Sequence, residues 1–314
     1  ASPRSPIMQK IAFIVPTKDR PEDLRIMLNS VKRQTPRPAQ LIIVDGSNPD
    51  IRFVVDEFPE LNIDYVRVYP PSLSEQRNAG MRHLRDDITL AGYLDDDIEL
   101  ESNAIEEMLA FWERSPTDLG GASFNITNTP KPNAVKVMFR QWLGLDCIRP
   151  GKVLPSGFVS TLDWQQSSIE PDWLCGGATV WRREIVNQYS YDEWFQGMGY
   201  LEDLDFSFNV REKYRLALVE HAKVVHRSPP IRADGQYLLG KWQIINRMYL
   251  VRKYRARGLS VPRAWLASFT LLAVHLAQAL IRFDRACWNR ARGNLMGMWL
   301  ELLGKKQQVG GFLK

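Results

Sequence analysis

Cysteine is scarce in this sequence, with three residues in a chain of 314. Cys147, Cys175 and Cys287 lie far apart and are odd in number, which argues against a disulfide framework and a CxxC metal site. We therefore expect a reducing compartment. We expect no signal peptide, because the first ten residues lack an apolar core, and residues 1–7, ahead of Met8, are interpreted as a non-native extension.

Several common catalytic signatures are absent as well. The sequence contains no GxGxxG, GxxxxGK[ST], GxSxG or HExxH, which argues against a dinucleotide-binding Rossmann domain, a P-loop enzyme, an α/β-hydrolase and a zincin. With 45% hydrophobic and 25% charged residues, the composition is typical of a globular protein and argues against a disordered chain or a polytopic membrane protein.

Charge is distributed unevenly along the chain. Residues 241–314 contain 14 Lys or Arg against two acids, a balance of +12, whereas the remaining residues carry −7. The tail also contains a 17-residue apolar run at 265–281, shorter than the roughly 20 residues that a membrane span needs. Flanking Arg, Lys and Trp residues favour an interfacial helix on an anionic membrane surface. The alternative is a helical pair packed on the catalytic domain or on a second subunit.

The N-terminal half alternates short apolar runs with helical patterns. This alternation predicts a mainly parallel α/β sheet, whose ligands bind at the carboxyl ends of the strands. The polar clusters PTKDR, VDGS and LDDD all fall at such ends. The predicted strands cover residues 11–15, 41–45, 65–69 and 90–94, and helices are predicted around residues 24–31 and 74–84 and after Asn103, which resembles a capping residue.

The second half gives weaker signals. Residues 125–172 predict loops with short antiparallel strands, and residues 222–225 predict a strand that ends at His226. Beyond residue 241 the pattern is helical, with interruptions expected near residues 258–262 and at Gly293.

Three consecutive aspartates follow the strand predicted at 90–94. In an extended segment Asp95 and Asp97 point to one side and Asp96 to the other, so the first and third can share a Mg2+ or Mn2+ ion. His226 is the best partner, because imidazole suits Mn2+. The alternatives are a solvated acidic turn and a structural histidine.

A second acidic pair, Glu202 and Asp203, opens a predicted helix. One of these carboxylates is a candidate general base that takes the proton from an acceptor hydroxyl. The alternative is that both serve only as helix N-terminal partners.

Seven segments occur in an order that resembles the family 2 glycosyltransferases with a GT-A fold, over residues 8–228. They are IVPTKDRP, IIVDGS, SEQRNAG, YLDDD, CGGATVWRREI, LEDLDFSFNVREK and VVH. The resemblance implies a Rossmann-like mixed sheet flanked by helices, and inverting transfer of a sugar from a nucleotide diphosphate sugar with Mn2+ or Mg2+. The tail also resembles membrane-associated bacterial members of this family, through NRMYLVRKY and ARGNLMGMWLELLGKK. This second likeness implies a C-terminal helical membrane-associating extension.

The resemblance also implies roles for individual residues. Asp203 is expected to be the base, with Glu202 positioning the acceptor or exchanging roles with it. Asp95, Asp97 and His226 are expected to bind the metal. The nucleotide-sugar site is expected to include Pro16, Thr17, Arg20, Asp45, Arg77, Asn78, Asp95, Asp96, Gly176 and Gly177.

Two departures from the family pattern affect specificity. Gly46 stands where many relatives carry an acid or Asn, which leaves base selectivity open, and no QxxRW follows the acidic pair, which favours single addition over processive synthesis. The alternatives are a non-catalytic nucleotide-sugar-binding GT-A scaffold and a nucleotidyltransferase.

The expected organisation is a catalytic domain at 8–240 and a basic amphipathic helical tail at 241–314. The expected donor is a UDP-sugar first and a dTDP-sugar second, and the expected acceptor is a saccharide or a polyprenyl-linked saccharide. We expect no nucleic acid partner and leave a homo-oligomer open. The expected location is the inner face of the cell membrane, with the protein peripheral and cytoplasmic.

Overall fold

A computed structural model describes residues 9–129, 134–162, 170–227, 231–233 and 235–304. The strands are β1 Ile11–Thr17, β2 Gln40–Asp45, β3 Ile63–Arg67, β4 Leu90–Leu94, β5 Ile98–Leu100, β6 Leu119–Ile126, β7 Ala178–Arg182 and β8 Arg215–His226. The helices are α1 Pro21–Lys32, α2 Arg52–Asp56, α3 Leu73–Arg82, α4 Ala104–Glu113, α5 Ala134–Trp142, α6 Arg183–Gln188, α7 Glu202–Val210, α8 Gly235–Lys253, α9 Val261–Arg282 and α10 Arg285–Leu302.

The eight strands form one mixed sheet in the order β3-β2-β1-β4-β7-β6-β8-β5. Strands β3, β2, β1 and β4 are parallel, β7 is antiparallel to both of its neighbours, and β8 is parallel to β6 and antiparallel to β5. Every residue of β1, β2 and β4 is buried, and strands covered on both faces read as continuous apolar runs. Because β2, β1 and β4 are parallel neighbours, their carboxyl ends lie side by side, as the sequence predicts.

The chain forms two compact units that are interleaved in sequence. The sheet unit comprises Ala1–Pro130, Asp163–Glu193 and Glu202–Ser228, and the helical unit comprises Lys131–Leu162, Trp194–Leu201 and Pro229–Lys314. The domain boundary predicted at residue 240 lies inside α8. The division into a catalytic domain at 8–240 and a helical tail at 241–314 stays a prediction.

The N-terminus of α4 differs from the sequence prediction. Asn103 occupies the N-cap position, but its side chain accepts no capping hydrogen bond. Instead, the side-chain oxygen of Gln34 accepts from the Ile105 amide at 3.2 Å. The predicted capping role of the Asn103 side chain is wrong, because a residue distant in sequence satisfies the helix terminus.

Helix α5 lies in the segment that predicted only loops and short strands. Between α5 and residue 162, the described chain shows the predicted antiparallel pairing as a single bridge between Val153 and Val159, and residues 130–133 and 163–169 of the predicted segment lie outside the described residues. The helical spacing is present in the sequence, since Val135, Met138 and Trp142 recur at i, i+3 and i+7. In the sequence, Pro132 and Gly144 flank this short pattern. The prediction of loops followed the Pro- and Gly-rich composition of the surrounding segment and not the helical spacing.

Helix α10 runs through Gly293 without the predicted interruption. A Cβ atom at Gly293 would overlap the carbonyl oxygen of Tyr237, and one at Gly240 would overlap the carbonyl oxygen of Arg290. Gly293 therefore lets the backbones of α8 and α10 approach closely. The helix break falls instead at Phe283, which has a φ of 52°, and Asp284, whose side chain accepts from the amides of Ala286 and Cys287.

We expect Gly293→Val to lower the free energy of unfolding by about 1–3 kcal/mol or more, because the added atoms meet backbone that cannot move aside. Chemical denaturation followed by circular dichroism measures the change. Arg292→Val is the matched control, since Arg292 is exposed on the same helix and receives the same side chain without an overlap. Helix propensity ranks Arg above Val and Val above Gly, so propensity alone would make the Gly293 variant the more stable of the two. Equal losses in the two variants would contradict close packing at Gly293.

Candidate active site

The aspartates after β4 form a turn, because the Ile98 amide donates to the Asp95 carbonyl at 3.1 Å. Asp96 accepts from the Thr17 hydroxyl at 2.8 Å, at the end of β1. The Arg20 guanidinium donates to Asp96 at 3.2 Å and to Asp97 at 3.0 Å. Burial raises the pKa of Asp96 to about 7, and the Arg20 charge and the Thr17 hydrogen bond oppose this rise.

Asp95, Asp97 and His226 meet at this turn. Each offers one ligand atom, and the three atoms lie within 4.8 Å of one another. His226 is the last residue of β8 and pairs with Ile98 of β5, which brings its Nε2 atom to 3.1 Å from Asp97 Oδ1. The Asp97 hydrogen bond raises the pKa of the imidazole. Two carboxylates and an imidazole form a donor set that suits Mn2+, and the oxygens also suit Mg2+.

Arg77 links this turn to the start of α7. Its guanidinium donates to Asp95 Oδ1 at 3.1 Å and to Glu202 Oε1 at 2.8 Å. Only 1% of the Arg77 side chain is exposed, and its charge lies 5.0 Å from the ring centre of Tyr191 and 5.9 Å from that of Tyr93. Such a buried cation requires its carboxylate partners.

Glu202 and Asp203 have different surroundings although they are adjacent. Glu202 is buried, and burial together with the Asp203 charge raises its pKa to about 8, against the opposing charge of Arg77. Asp203 is half-buried and accepts from the Gly176 amide at 3.2 Å and from the Leu204 amide at 2.7 Å. Burial also raises the pKa of Asp203.

Two glycines make this arrangement possible. A Cβ atom at Gly177 would overlap the carboxylate of Asp95, and one at Gly176 would lie 2.7 Å from Asp203 Cβ and 2.8 Å from Arg77 Nη1. The glycine pair predicted from the sequence therefore lies between the metal-site aspartate and the candidate base. Any side chain there would push the carboxylates apart.

One protein family resembles part of this chain. Residues 12–155 match the family described as "Glycosyl transferase family 2". This match spans just under half of the chain, so residues 12–155 are similar to a family 2 glycosyltransferase domain. No curated protein sequence matches the chain.

Solved structures share the fold at low sequence identity. The mannosyltransferase PcManGT from Pyrobaculum calidifontis, in complex with GDP-Man and Mn2+, is 14% identical, with a TM-score of 0.57 over 92% of this chain and 87% of its own. TarS 1-349 from S. aureus is 13% identical, with a TM-score of 0.50 over 95% of this chain and 92% of its own. GalNAc-T7 with UDP, GalNAc and Mn2+ is 16% identical, with a TM-score of 0.55 over 72% of this chain and 45% of its own. These likenesses show a GT-A fold.

The residue predicted to recognise the nucleotide base is fully buried. The Asp45 carboxylate accepts from the amides of Ser47 at 2.7 Å and Ile51 at 3.0 Å, from the Tyr65 hydroxyl and from Arg67 at 2.6 Å. In this geometry Asp45 fixes the loop that follows β2. Its role toward a nucleotide base stays a prediction.

Gly46, the departure from the family pattern, has a steric cause. A Cβ atom there would lie 2.5 Å from Pro71 Cβ, so the acid or Asn of many relatives cannot be accommodated without moving Pro71.

Two other predicted nucleotide-sugar residues lie apart from the carboxylate cluster. Pro16 is buried within β1 and pairs with Val44 in β2. The Asn78 side-chain amide donates to the Tyr191 carbonyl and to Glu193, both at 2.9 Å. Asn78 therefore holds in place the segment that contains Tyr191, whose ring faces Arg77. The nucleotide-sugar roles of Pro16 and Asn78 stay predictions.

Sequence reasoning did not identify the residues that enclose Arg77. Tyr93 and Tyr191 stand at right angles with ring centres 5.3 Å apart. The Gln76 side chain donates to the carbonyls of Thr17 at 2.9 Å and Val44 at 2.7 Å, and so ties the ends of β1 and β2 together. Gln76 and Arg77 both belong to SEQRNAG, so this motif could have indicated that both residues matter. Their contact partners depend on tertiary structure, which the motif does not reveal.

We expect Arg77→Met to cost about 3–5 kcal/mol of folding free energy, because Glu202 and Asp95 lose the buried charge that they share. Urea denaturation measures the loss, and adding Glu202→Gln should recover part of it by removing one orphaned carboxylate. Arg25→Met is the control, since Arg25 pairs with Glu22 and Glu57 at the surface, and its loss should be much smaller. A loss for Arg77→Met no larger than that of the control would contradict the buried network.

Proposed function

We propose that the chain transfers a sugar, with inversion, from a nucleoside diphosphate sugar to a hydroxyl of a saccharide or lipid-linked acceptor at an anionic membrane surface. The observation that carries this proposal is the cluster formed by Asp95, Asp97 and His226 together with Asp203. A cation site and a candidate base on either side of the Gly176–Gly177 pair are what a metal-assisted displacement requires.

The fold and the match over residues 12–155 support a nucleotide-sugar donor, and an assay is needed to identify it. We favour a UDP-sugar first and a dTDP-sugar second. GDP-mannose joins the test because PcManGT was solved with GDP-Man. A screen of UDP-, dTDP- and GDP-sugars with Mn2+, reading release of nucleoside diphosphate, should single out one nucleotide. Donors that bind without release, with or without acceptors, would favour the non-catalytic scaffold.

The metal would be held by Asp95, Asp97 and His226. When bound, such a cation neutralises charge on the diphosphate leaving group. Mn2+ is present in the PcManGT and GalNAc-T7 structures, and we propose Mn2+ or Mg2+ here.

We expect Mn2+ to strengthen nucleoside diphosphate binding, and Asp97→Ala to abolish that gain, because Asp97 is the buried carboxylate of the cluster. Titration calorimetry with UDP and with GDP, each with and without Mn2+, measures the effect. Asp87→Ala, which alters an exposed aspartate, should leave the gain intact. If Mn2+ strengthens nucleoside diphosphate binding by Asp97→Ala as much as by the wild type, Asp97 is not a metal ligand.

Asp203 is our choice of base. The Glu202 carboxylate is paired with the Arg77 guanidinium, whereas Asp203 is partly accessible and accepts from the Gly176 amide. Burial raises its pKa, which makes the carboxylate a stronger base than an exposed aspartate. In this proposal Asp203 takes the acceptor proton as the hydroxyl attacks, and Glu202 fixes the start of α7 through Arg77.

We expect Asp203→Asn to lower the transfer rate by roughly 10²–10⁴-fold with donor affinity nearly unchanged, because a base is needed only when the acceptor attacks. Rate and donor binding are measured separately, by product formation and by calorimetry. Glu202→Gln is the comparison variant. Normal transfer by Asp203→Asn together with lost transfer by Glu202→Gln would reverse the assignment within the pair.

The membrane part of the proposal rests on the helical unit. This unit carries 20 Lys or Arg against four acids, a balance of +16, whereas the sheet unit carries −11. Of the 20 large hydrophobic residues that are exposed in the described chain, 18 belong to the helical unit. Apolar surface combined with positive charge fits an anionic lipid surface. We propose a peripheral location on the cytoplasmic face.

Helix α9 is central to this surface. Among the described helices it is the one long and apolar enough to cross a membrane, yet 28% of its most apolar stretch is buried. Leu266, Phe269 and Leu280 are more than half exposed and recur at helical spacing, while Ala267 and Leu271 on another face pack against Leu145 and Phe158. A helix packed on one face and apolar on the other suits an interfacial position better than a span.

We expect the chain to float with vesicles made of equal parts phosphatidylcholine and phosphatidylglycerol, less with phosphatidylcholine alone, and to be released partly as salt rises. Phe269→Ser should weaken flotation about three- to tenfold by removing apolar contact. The matched control is Phe53→Ser, since Phe53 is 54% exposed on α2 and Phe269 is 56% exposed. Absence of wild-type flotation would refute the membrane role and favour packing on a second subunit.

A further inference from the structure

Helix α5 presents its apolar face to the outside. Val135, Met138, Phe139 and Trp142 recur at i, i+3, i+4 and i+7, and they are 67%, 64%, 53% and 80% exposed. In a globular protein such a stripe faces the core. The Phe139 and Trp142 rings are stacked with their centres 6.1 Å apart. These four residues, the α5 stripe, form a continuous exposed apolar surface.

The C-terminal end of α5 is fixed to the rest of the helical unit. Arg140 donates to Asp146 at 3.3 Å and to the Leu145 carbonyl at 3.2 Å, and Asp146 is buried. Leu143 and Leu145 join a core cluster that contains Ala267 and Leu271 of α9. The exposed position of the α5 stripe is therefore set by packing that also holds α9.

The charge of the helical unit indicates what covers the stripe. Exposed Arg149 follows α5, next to Ile148, which is 85% exposed. Association of two copies through this unit would bring two surfaces of +16 together, which is unfavourable. An anionic bilayer instead supplies apolar contact and the opposite charge, and Trp side chains favour the interface between headgroups and acyl chains.

We propose that the α5 stripe is a second membrane contact, which inserts Met138, Phe139 and Trp142 into the interfacial region of an anionic bilayer. This inference rests on the membrane role proposed for α9. It assigns a function to a segment that lies outside the basic tail at 241–314 and precedes it in the chain. Membrane attachment then depends on two separate parts of the chain, and each adds its buried apolar area to the binding.

The test uses the full chain and vesicles of equal parts phosphatidylcholine and phosphatidylglycerol. Phe139→Ser should weaken flotation about three- to tenfold. Phe53→Ser should not, although Phe53 is 54% exposed and Phe139 is 53% exposed. With lipids brominated on the acyl chains, wild-type tryptophan fluorescence should be quenched, and Trp142→Phe should lose part of that quenching. Calorimetry with nucleoside diphosphate and Mn2+ checks that each variant keeps its donor site.

The outcomes separate this inference from the membrane role of α9. Loss of flotation in Phe269→Ser with wild-type flotation and quenching in the α5 variants would keep the α9 proposal and overturn this one. Absence of wild-type flotation would overturn both. Sedimentation analysis tests whether a second copy of the chain covers the stripe instead. If the wild type is an oligomer that Trp142→Ser dissociates, and vesicle binding is unchanged, the stripe is a subunit interface and the inference is overturned.

Discussion

The buried guanidinium of Arg77 is the constraint on which the candidate active site depends. A cation that is 1% exposed is stable only beside its counter-charges, and Arg77 finds them in Asp95 after β4 and Glu202 at the start of α7. The two carboxylates are thereby fixed relative to each other although more than 100 residues separate them. The acid next to Glu202, Asp203, is placed beside the Gly176 amide by the same contact network. Burial, together with the charge of neighbouring carboxylates, raises the pKa values of Glu202 and Asp203.

The helical unit is organised by different forces. Close backbone approach at Gly240 and Gly293 joins α8 to α10, while apolar side chains that would ordinarily fill a core remain on the surface. The separation of charge, −11 in the sheet unit and +16 in the helical unit, favours different partners for the two. An acidic unit can concentrate a divalent cation, and a basic apolar unit can rest on anionic lipid. In the proposed function, one chain combines a donor site with a surface suited to membrane-presented acceptors.

Sequence reasoning succeeded where the signal is local. Continuous apolar runs located β1, β2 and β4, and the alternation of strands and helices predicted the parallel arrangement that places their polar ends at one edge of the sheet. The strand order itself was not predicted. Grouping Asp95, Asp97 and His226 was correct in space, although the aspartates form a turn and not an extended segment. The strand predicted at 65–69 begins two residues earlier, since its edge residues are only partly buried and give a weak pattern. The pairing of Arg77 with Glu202 and the capping of α4 by Gln34 depend on residues distant in sequence, which no local pattern reveals.

The central claim is that Asp95, Asp97 and His226 hold the cation that binds the donor diphosphate, next to Asp203. Diffraction from crystals grown with Mn2+ and a nucleoside diphosphate, recorded above and below the manganese absorption edge, locates the ion directly. We expect one strong anomalous peak in contact with ligand atoms of Asp95, Asp97 and His226 and with the diphosphate. A peak elsewhere, or diphosphate bound with no manganese at these residues, would contradict the account.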